Sequence, residues 1–312
     1  MTTSELVAAS PVLVDPKKPT GRTAPKNTPF EGHVSRGWQI AVTVAMVIAA
    51  VYFLLPVYWL LVASTKTTSD LFSTWGLWFS GDFNLFQNIA ALSAYDGGIY
   101  WRWTLNSVLY SVVGSILTTL VSALTGYALA IYQFKGRKII LGAVLGSLLI
   151  PGTVLAQPTY VLLVGMGLNN TYAGLLLPAL VYPFGVLLCY IYAQSAVPLE
   201  IVEAARIDGA GEFRIFGAIA IRMMMTGMVT VLLFAFLGSW NSYMLPLLVL
   251  TDQELMPLTV GLTGWNQASI TVPGLQILTV VGSMLSIIPI VIVFLSLQRY
   301  WRSGLAAGGV RF

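Results

Sequence analysis

The sequence predicts an all-α integral membrane protein with six transmembrane helices. Only 9% of its 312 residues are charged and its mean hydropathy is +0.81, whereas about a quarter of the residues in a soluble domain carry charge. Six apolar stretches reach the roughly 20 residues that a helix needs to cross a hydrocarbon core, and none contains Asp, Glu, Lys or Arg. They cover approximately residues 40–63, 104–132, 139–164, 172–195, 223–250 and 275–297.

The remaining segments are two tails and one long connection. Residues 1–37 are rich in Pro, Thr and Lys, and prolines at this spacing prevent a helix from propagating, so a disordered N-terminal tail is expected. Residues 38–298 are expected to form the six-helix transmembrane domain, which includes a connection at 196–222. Residues 299–312 are expected to form a short C-terminal tail.

The basic residues predict the orientation of the chain in the membrane. Apart from Lys66 and Arg102, every Lys and Arg lies in a tail or in the connections after the second and fourth spans. Because cytoplasmic segments of membrane proteins carry the excess of Lys and Arg, both termini are expected in the cytoplasm. These residues are thinly spread between apolar runs, which favours lipid headgroups over nucleic acid as the acidic neighbour.

Several chemical functions lack the residues that they need. The sequence contains no GxxxxGK[ST] run, so the chain is not expected to bind a nucleotide itself. Its one histidine, His33, lies in the N-terminal tail, and no nucleophile, base or set of metal ligands clusters in the sequence. The chain is therefore expected to be neither an enzyme nor a metal-binding protein, and to hold no cofactor of its own.

The connection at 196–222 has the pattern of two short helices. From Val197 it reads VPLEIVEAARIDGAGEFRIFGAIAIR, in which Pro198 and the early acids suit a helix start. Gly209 and Gly211 then interrupt the helix, and Phe213, Phe216 and Ile219 follow at the spacing of one helical face. Such a bent pair either enters a groove on a partner protein or lies flat on the lipid headgroups.

Several segments resemble one family of transport proteins. The run Glu203-Ala204-Ala205 with Gly209 four residues further on resembles the EAA loop of permease subunits of binding-protein-dependent ABC importers, and Ile207 to Ala210 (IDGA) is typical of the carbohydrate branch. Further matches are Asn106 with Ser107, Pro151 and Pro158 in the third span, the run GLNNTYAGLLLP at 167–178, Trp240 with Asn241, and PLLVLTD at 246–252. One feature departs from the family pattern, because the sequence has Arg222 where a proline usually follows the loop.

The resemblance implies a type I ABC importer permease fold in a bacterial inner membrane, importing a sugar or sugar-like solute. It implies that the loop docks on an ATPase dimer that holds ATP and Mg²⁺, and that Gly209 forms the turn between the two short helices. A second permease subunit and an extracytoplasmic solute-binding protein complete the importer. The residues expected to couple the chain to the ATPase are Glu203, Ala204, Ala205, Asp208, Gly209, Phe213 and Phe216.

A sugar path needs hydrogen-bonding groups for hydroxyls and aromatic faces for C–H surfaces. The side chains of this kind within the apolar spans are Asn106, Tyr110, Gln157, Tyr160, Tyr182, Tyr190, Trp240, Asn241 and Tyr243. Each one serves equally well for contacts between helices; the prediction favours Asn106, Gln157, Trp240, Asn241 and Tyr243. Trp240 and Asn241 are splayed by about a hundred degrees, so both do not face one pore.

An ion-coupled secondary transporter is the alternative function. Such transporters use acidic or histidine side chains within the membrane to carry protons or bind ions. The predicted spans contain no charged residue and no histidine, and this composition favours the ATP-driven importer.

Overall fold

A computed structural model describes residues 36–308, and these residues form helices joined by short connections. The part of the chain that is described contains no strand, so the all-α prediction is confirmed. Of the predicted tail at residues 1–37, residues 1–35 lie outside the described residues, as do the last four residues, 309–312, whereas residues 36 and 37 begin the first helix. The chain divides into two compact units, Met1–Tyr52 and Phe53–Phe312.

The described part of the first unit is the N-terminal half of helix α1 (Arg36–Ser64). Its residues are mainly apolar and exposed. Thr43, a polar exception, donates its hydroxyl to the carbonyl of Gln39 one turn earlier. A helix that presents apolar side chains on all sides suits a hydrocarbon environment.

The second unit contains the rest of α1 and all the helices that follow. They are α2 (Thr68–Ser73), α3 (Leu85–Ala94), a 3₁₀ turn (Tyr95–Gly98), α4 (Ile99–Ile131), α5 (Arg137–Ser147), α6 (Gly152–Gly165), α7 (Tyr172–Ala179), α8 (Pro183–Ala196), α9 (Leu199–Ile207), α10 (Glu212–Ile215), a π-helical stretch (Phe216–Ala220), α11 (Ile221–Met223), α12 (Met225–Trp240), α13 (Met244–Val249), a 3₁₀ turn (Gln253–Leu255), α14 (Leu258–Ala268) and α15 (Leu275–Gly308).

Within residues 36–308, four helical stretches are long and apolar enough to cross a membrane: Arg36–Ser64, Leu85–Ile131, Tyr172–Ala196 and Leu275–Gln298. Two bent pairs pass the same test when each is taken as one span. They are Arg137–Ser147 with Gly152–Gly165, bent by 109°, and Glu212–Met223 with Met225–Trp240, bent by 82°. With both pairs counted, the number of spans is the six predicted from the sequence.

Three of the predicted spans are not continuous helices. In the fourth, α7 ends at Ala179 and α8 begins at Pro183. The third breaks before Pro151, which precedes the first residue of α6, because proline has no N–H to donate and disfavours helical geometry in the residue before it. The fifth was expected to reach residue 250, but α12 ends at Trp240 and residues 241–243 are not helical. The prediction of one helix over 223–250 is therefore wrong.

Helix α4 is the centre of the second unit and packs mainly against α8 and α12. Its buried face carries small and hydroxyl-bearing residues, including Ser111, Ser115 and Ser122. Gly126 lies so close to α8 that an added Cβ atom would be 2.6 Å from the Cβ of Cys189 and 2.7 Å from the backbone nitrogen of Tyr190. Small residues of this kind allow helix backbones to approach closely in membranes.

Candidate functional site

The connection at 196–222, here called the elbow, is the predicted bent pair of helices. Helix α9 ends in a Schellman motif, in which Ala210 N–H donates to the carbonyl of Ala205 at 2.9 Å and Gly209 N–H donates to that of Arg206 at 3.0 Å. Gly209 has a φ of +78°, a left-handed conformation that glycine adopts without steric cost. The turn therefore has one defined geometry.

The base of the elbow is buried in the helix bundle. Val202 and Ile215 are fully buried, and the ring of Phe216 lies 5.3 Å from that of Tyr127 at the end of α4. The chain then bends by 82° at Met224 to enter α12. This bend occurs without the proline that is usual in the family, and it follows a π-helical stretch, Phe216–Ala220.

The tip of the elbow is exposed and partly apolar. Ile207 is 87% exposed and Phe213 is 88% exposed, on either side of the glycine turn. Of the other predicted coupling residues, Glu203, Ala204, Asp208 and Gly209 are exposed and Ala205 is half-buried. Exposed apolar side chains rimmed by polar ones mark interaction surfaces. Phe213 and Phe216 differ sharply in environment although the sequence assigned them to one face, because only Phe216 reaches α4.

Three polar side chains that the sequence analysis did not select hold the elbow together. Arg206 donates from Nε to Glu212 Oε1 at 2.7 Å and from Nη2 to Oε2 at 3.2 Å, which ties α9 to α10 across the turn. Tyr132, which follows α4, donates its hydroxyl to the same carboxylate. The guanidinium also lies 5.7 Å from the centre of the Tyr132 ring. Opposite charges six residues apart across a glycine turn are the sequence signal that was available.

These bonds shift the ionisation of the groups that form them. The hydrogen bonds from Arg206, and then from Tyr132, lower the pKa of Glu212 below its ordinary value. Burial, reinforced by the hydrogen bond to Glu212, raises the pKa of Tyr132. The pKa of Glu212 is lower in the folded state than in the unfolded chain, so the ionised carboxylate stabilises the fold. This stabilisation is complete above the ordinary carboxyl pKa, and it is lost as the pH falls through the lowered value.

We expect Glu212→Gln to loosen the turn at pH 7, since the neutral amide keeps the size of the side chain but not the charge that Arg206 binds. Amide hydrogen exchange over residues 207–212 should rise by a few-fold, because an exposed ion pair contributes only modestly. Glu200→Gln is the matched control, because Glu200 is an exposed acid of α9 with no ion pair among the described residues. Equal exchange in both variants would contradict a role for the pair.

A cavity of about 410 Å³ lies within the helix bundle. It is open beside Gly238, where an added Cβ atom would meet nothing within 4 Å. Its lining combines apolar side chains with five hydroxyl groups and contains no charged residue. The lining residues are Tyr110, Gly114, Thr118, Gly152, Leu175, Leu176, Pro178, Ala179, Val181, Tyr182, Phe234, Ala235, Gly238, Ser239, Ser242, Leu245, Pro246 and Pro257.

None of the five favoured path residues lines this cavity. Trp240 is buried and stacks on Phe236 with ring centres 5.8 Å apart. Gln157 and Asn241 are exposed, and Tyr243 is half-buried. Asn241 donates its amide to the carbonyl of Leu237 at 2.8 Å. The structure instead gathers Ser239 and Ser242, which the sequence analysis did not select, with Tyr110 and Tyr182, which were in the wider set.

Asn106 is buried and binds other parts of the chain. Its amide donates to the carbonyls of Glu254 at 2.7 Å and Met256 at 3.1 Å, and its oxygen accepts from the Tyr172 hydroxyl at 3.0 Å. The amide nitrogen and the oxygen of this side chain thus both have partners within the protein. This pattern indicates that Asn106 supports the segment at 251–258.

Neighbouring side chains hold the same segment. The Ser107 hydroxyl accepts from Leu258 N–H at 2.7 Å, and the Tyr110 hydroxyl donates to the Leu255 carbonyl at 2.9 Å. The oxygen of Asn170 accepts from the N–H groups of Thr251 and Asp252 at 3.0 and 2.9 Å. Three of the separate matches, at 106–107, 167–178 and 246–252, therefore meet in one hydrogen-bonded cluster beside the cavity.

Comparison with known proteins places the chain among transport proteins. Residues 121–306 match the family described as the binding-protein-dependent transport system inner membrane component. The chain is 34% identical over 279 residues to the arabinooligosaccharides transport system permease protein AraQ of Bacillus subtilis, covering 88% of this chain and 96% of AraQ. It is 31% identical over 268 residues to the diacetylchitobiose uptake system permease protein NgcG of Streptomyces coelicolor, covering 85% and 87%.

A solved structure has the same fold. It is a chain of a bacterial ABC transporter involved in the import of the acidic polysaccharide alginate, and it matches with a TM-score of 0.76 and 21% sequence identity. The match covers 88% of this chain and 100% of that chain. The type I permease fold expected from the sequence is thereby confirmed.

Proposed function

The chain belongs to the family of binding-protein-dependent transport system inner membrane components, and we propose that it lines half of the path for a neutral sugar in an ATP-driven importer. Membership confirms the resemblance stated from the sequence, and it makes the chain a multi-pass permease subunit of the inner membrane. The proposal adds the solute class, the coupling surface and the lining of the path.

The observation that carries the proposal is the elbow, which is anchored at its base and exposed at its tip. Val202, Ile215 and Phe216 fix the base in the bundle, while Ile207 and Phe213 project from the turn. A helix with exposed apolar side chains suits a groove on a partner. We assign that groove to an ATPase subunit, so that closing of the ATPase dimer on ATP and Mg²⁺ moves the elbow and, through its base, α4 and α12.

The predicted coupling residues have distinct roles in this proposal. Phe213 and Ile207 fill the groove, and Glu203, exposed on α9, pairs with a basic residue there. Ala204 and Ala205 keep one face of α9 slim, so that the helix sits deep in the groove. Asp208 and Gly209 form the turn, and Phe216 transmits the movement to α4. Arg206 and Glu212 make the turn stiff enough to transmit force.

The cavity near Gly238 suits an uncharged sugar. The rings of Tyr110 and Tyr182 offer faces for C–H surfaces, and the hydroxyls of Ser239 and Ser242 offer hydrogen bonds. The absence of charge from the described lining favours a neutral solute. The names of AraQ and NgcG refer to oligosaccharides, which supports the same class. Gln157, Asn241 and Tyr243 stay as predicted path residues, and we assign Asn106 and Trp240 to support.

The importer needs further subunits. We expect an ATPase dimer, a second permease subunit that lines the other half of the path, and an extracytoplasmic solute-binding protein that delivers the sugar. The exposed apolar residues of the membrane helices contact lipid or the second permease. The proposed orientation has both termini in the cytoplasm, and it follows from the distribution of Lys and Arg.

Uptake by the reconstituted importer tests this function. The chain is placed in proteoliposomes with the ATPase, second permease and solute-binding protein that purify with it, and uptake of a labelled arabinooligosaccharide is measured. We expect uptake to need ATP on the ATPase side, to fail with a non-hydrolysable analogue and to be insensitive to a protonophore. Uptake that continues without ATP and collapses with the ion gradient would establish the ion-coupled alternative.

A further inference from the structure

A second cavity, of about 620 Å³, lies where the connection from α4 to α5 meets α8, and we call it the basic cavity. Its wall on the connection side includes Arg137 and Lys138, and Tyr190 of α8 contributes to the opposite wall. The lining residues are Gln133, Phe134, Gly136, Arg137, Lys138, Ile139, Leu141 and Tyr190. It is separate from the cavity beside Gly238, since the two share no lining residue.

The positive charge of the basic cavity is not neutralised by any residue that the structure describes. No lining residue is acidic, and the ion pairs in residues 36–308 are Arg102 with Glu254 and Arg206 with Glu212. Glu212 is an acid near the cavity in the fold, because it accepts a hydrogen bond from Tyr132, the residue before Gln133. Its carboxylate is already paired with Arg206. Two cations in a concave site without a counter-charge create a positive potential that attracts an anion.

The surroundings of the cations are apolar and open. Ile139 is 78% exposed, and Phe134 and Ile140 are also exposed. Phe134 lies in the connection after α4, and Ile139 and Ile140 lie in the first turn of α5, where a transmembrane helix meets the membrane surface. Cations at the headgroup region of the membrane, with exposed apolar side chains beside them, suit a ligand that has an anionic head and an apolar tail.

We propose that the basic cavity binds the headgroup of an anionic glycerophospholipid. Arg137 and Lys138 contact the phosphate, and the acyl chains lie along Phe134 and Ile139. The Tyr190 hydroxyl accepts from Gln194 Nε2 at 2.8 Å, so its own proton is free to donate to the headgroup. The proposal rests on the location of the chain in a membrane and is independent of docking to the ATPase.

The test uses the full chain, purified and placed in nanodiscs that contain phosphatidylcholine with or without phosphatidylglycerol. Lipid that stays bound after extraction is identified by native mass spectrometry. A basic side chain near a membrane surface strengthens the binding of anionic lipid by about fivefold, so Arg137→Gln with Lys138→Gln should lower retention of phosphatidylglycerol by roughly 30-fold. Lys138→Gln alone, at an exposed position, should lower retention by about fivefold.

Lys135→Gln is the matched control, because Lys135 is an exposed cation of the same connection that does not line the cavity. Its retention of phosphatidylglycerol should fall much less than that of Lys138→Gln, because Lys135 does not reach a headgroup bound within the cavity. Equal losses for Lys135→Gln and Lys138→Gln would indicate a diffuse surface charge and overturn the site. The proposal would also be overturned if the double variant retained phosphatidylglycerol as the unmodified chain does, whether or not the variant lost its association with the ATPase.

Discussion

Replacing Phe213 with Asp is expected to abolish ATPase association and solute-stimulated ATP hydrolysis while the chain stays folded and inserted. Phe213 is 88% exposed, so its ring contributes almost nothing to packing within the chain. In the proposed complex the ring fills a groove, and removal of a buried aromatic anchor from an interface costs about 2–4 kcal/mol. The introduced carboxylate adds a desolvation cost. The measurement is the affinity of the ATPase for the chain in nanodiscs.

Phe86→Asp is the matched control for this prediction. Phe86 lies on α3, far from the elbow in sequence, and is 76% exposed, so it undergoes the same chemical change at nearly the same exposure. Its ATPase affinity should equal that of the unmodified chain. Phe216→Asp is expected to behave differently again, because it buries a carboxylate against Tyr127 and should lower the unfolding temperature. If Phe213→Asp keeps full affinity, the elbow is not the docking surface.

The shape of the elbow could be predicted because its signals are local. Pro198 before a helix, and glycine where α9 must end, specify a bent pair from a few neighbouring residues. The exposure of each side chain could not be predicted in the same way. Phe213 and Phe216 have the same chemistry and a helical spacing, and only the approach of Tyr127 from a distant helix separates them.

In the membrane spans, too, features that neighbouring residues specify could be predicted, and features that depend on packing between helices could not. Hydropathy located the apolar stretches, and Pro151 accounts for the break in the third span. The 82° bend at Met224 has no proline or glycine at the break, and it depends on how the elbow packs beneath α4 and α8. The hydrophobic periodicity of the sequence does not encode contacts between distant helices, so it does not predict this bend.

The lining of the cavity beside Gly238 was the least predictable part of the candidate site. Asn106 and Trp240 are polar or amphipathic side chains in apolar runs, which suits both a path and a contact between helices. The two roles differ in the direction in which the side chain points relative to its neighbours, and the sequence does not specify that direction. Asn106 binds the backbone at 254–256 and Trp240 stacks on Phe236, whereas the cavity is reached by the adjacent Ser239 and by Gly238.

Replacing Gly238 with Phe is expected to block uptake without unfolding the chain. An added Cβ atom at Gly238 meets no other atom within 4 Å, so the new ring projects into the cavity and occupies the space that a sugar would use. The replacement also favours α12, because phenylalanine has a higher helix propensity than glycine. We expect uptake to fall by more than about tenfold, equivalent to at least ~1.4 kcal/mol of added barrier, with unchanged ATPase affinity and unfolding temperature.

Gly264→Phe supplies the control, since Gly264 of α14 also has open space around an added Cβ atom but does not line the cavity. Its uptake should stay close to that of the unmodified importer. The cavity and the elbow are then distinguished by their variants. Gly238→Phe should lose transport and keep ATP hydrolysis, whereas Phe213→Asp should lose both. Full uptake by Gly238→Phe would remove this cavity from the path, and loss of ATPase binding in the same variant would mean that the cavity acts on the elbow and not on the solute.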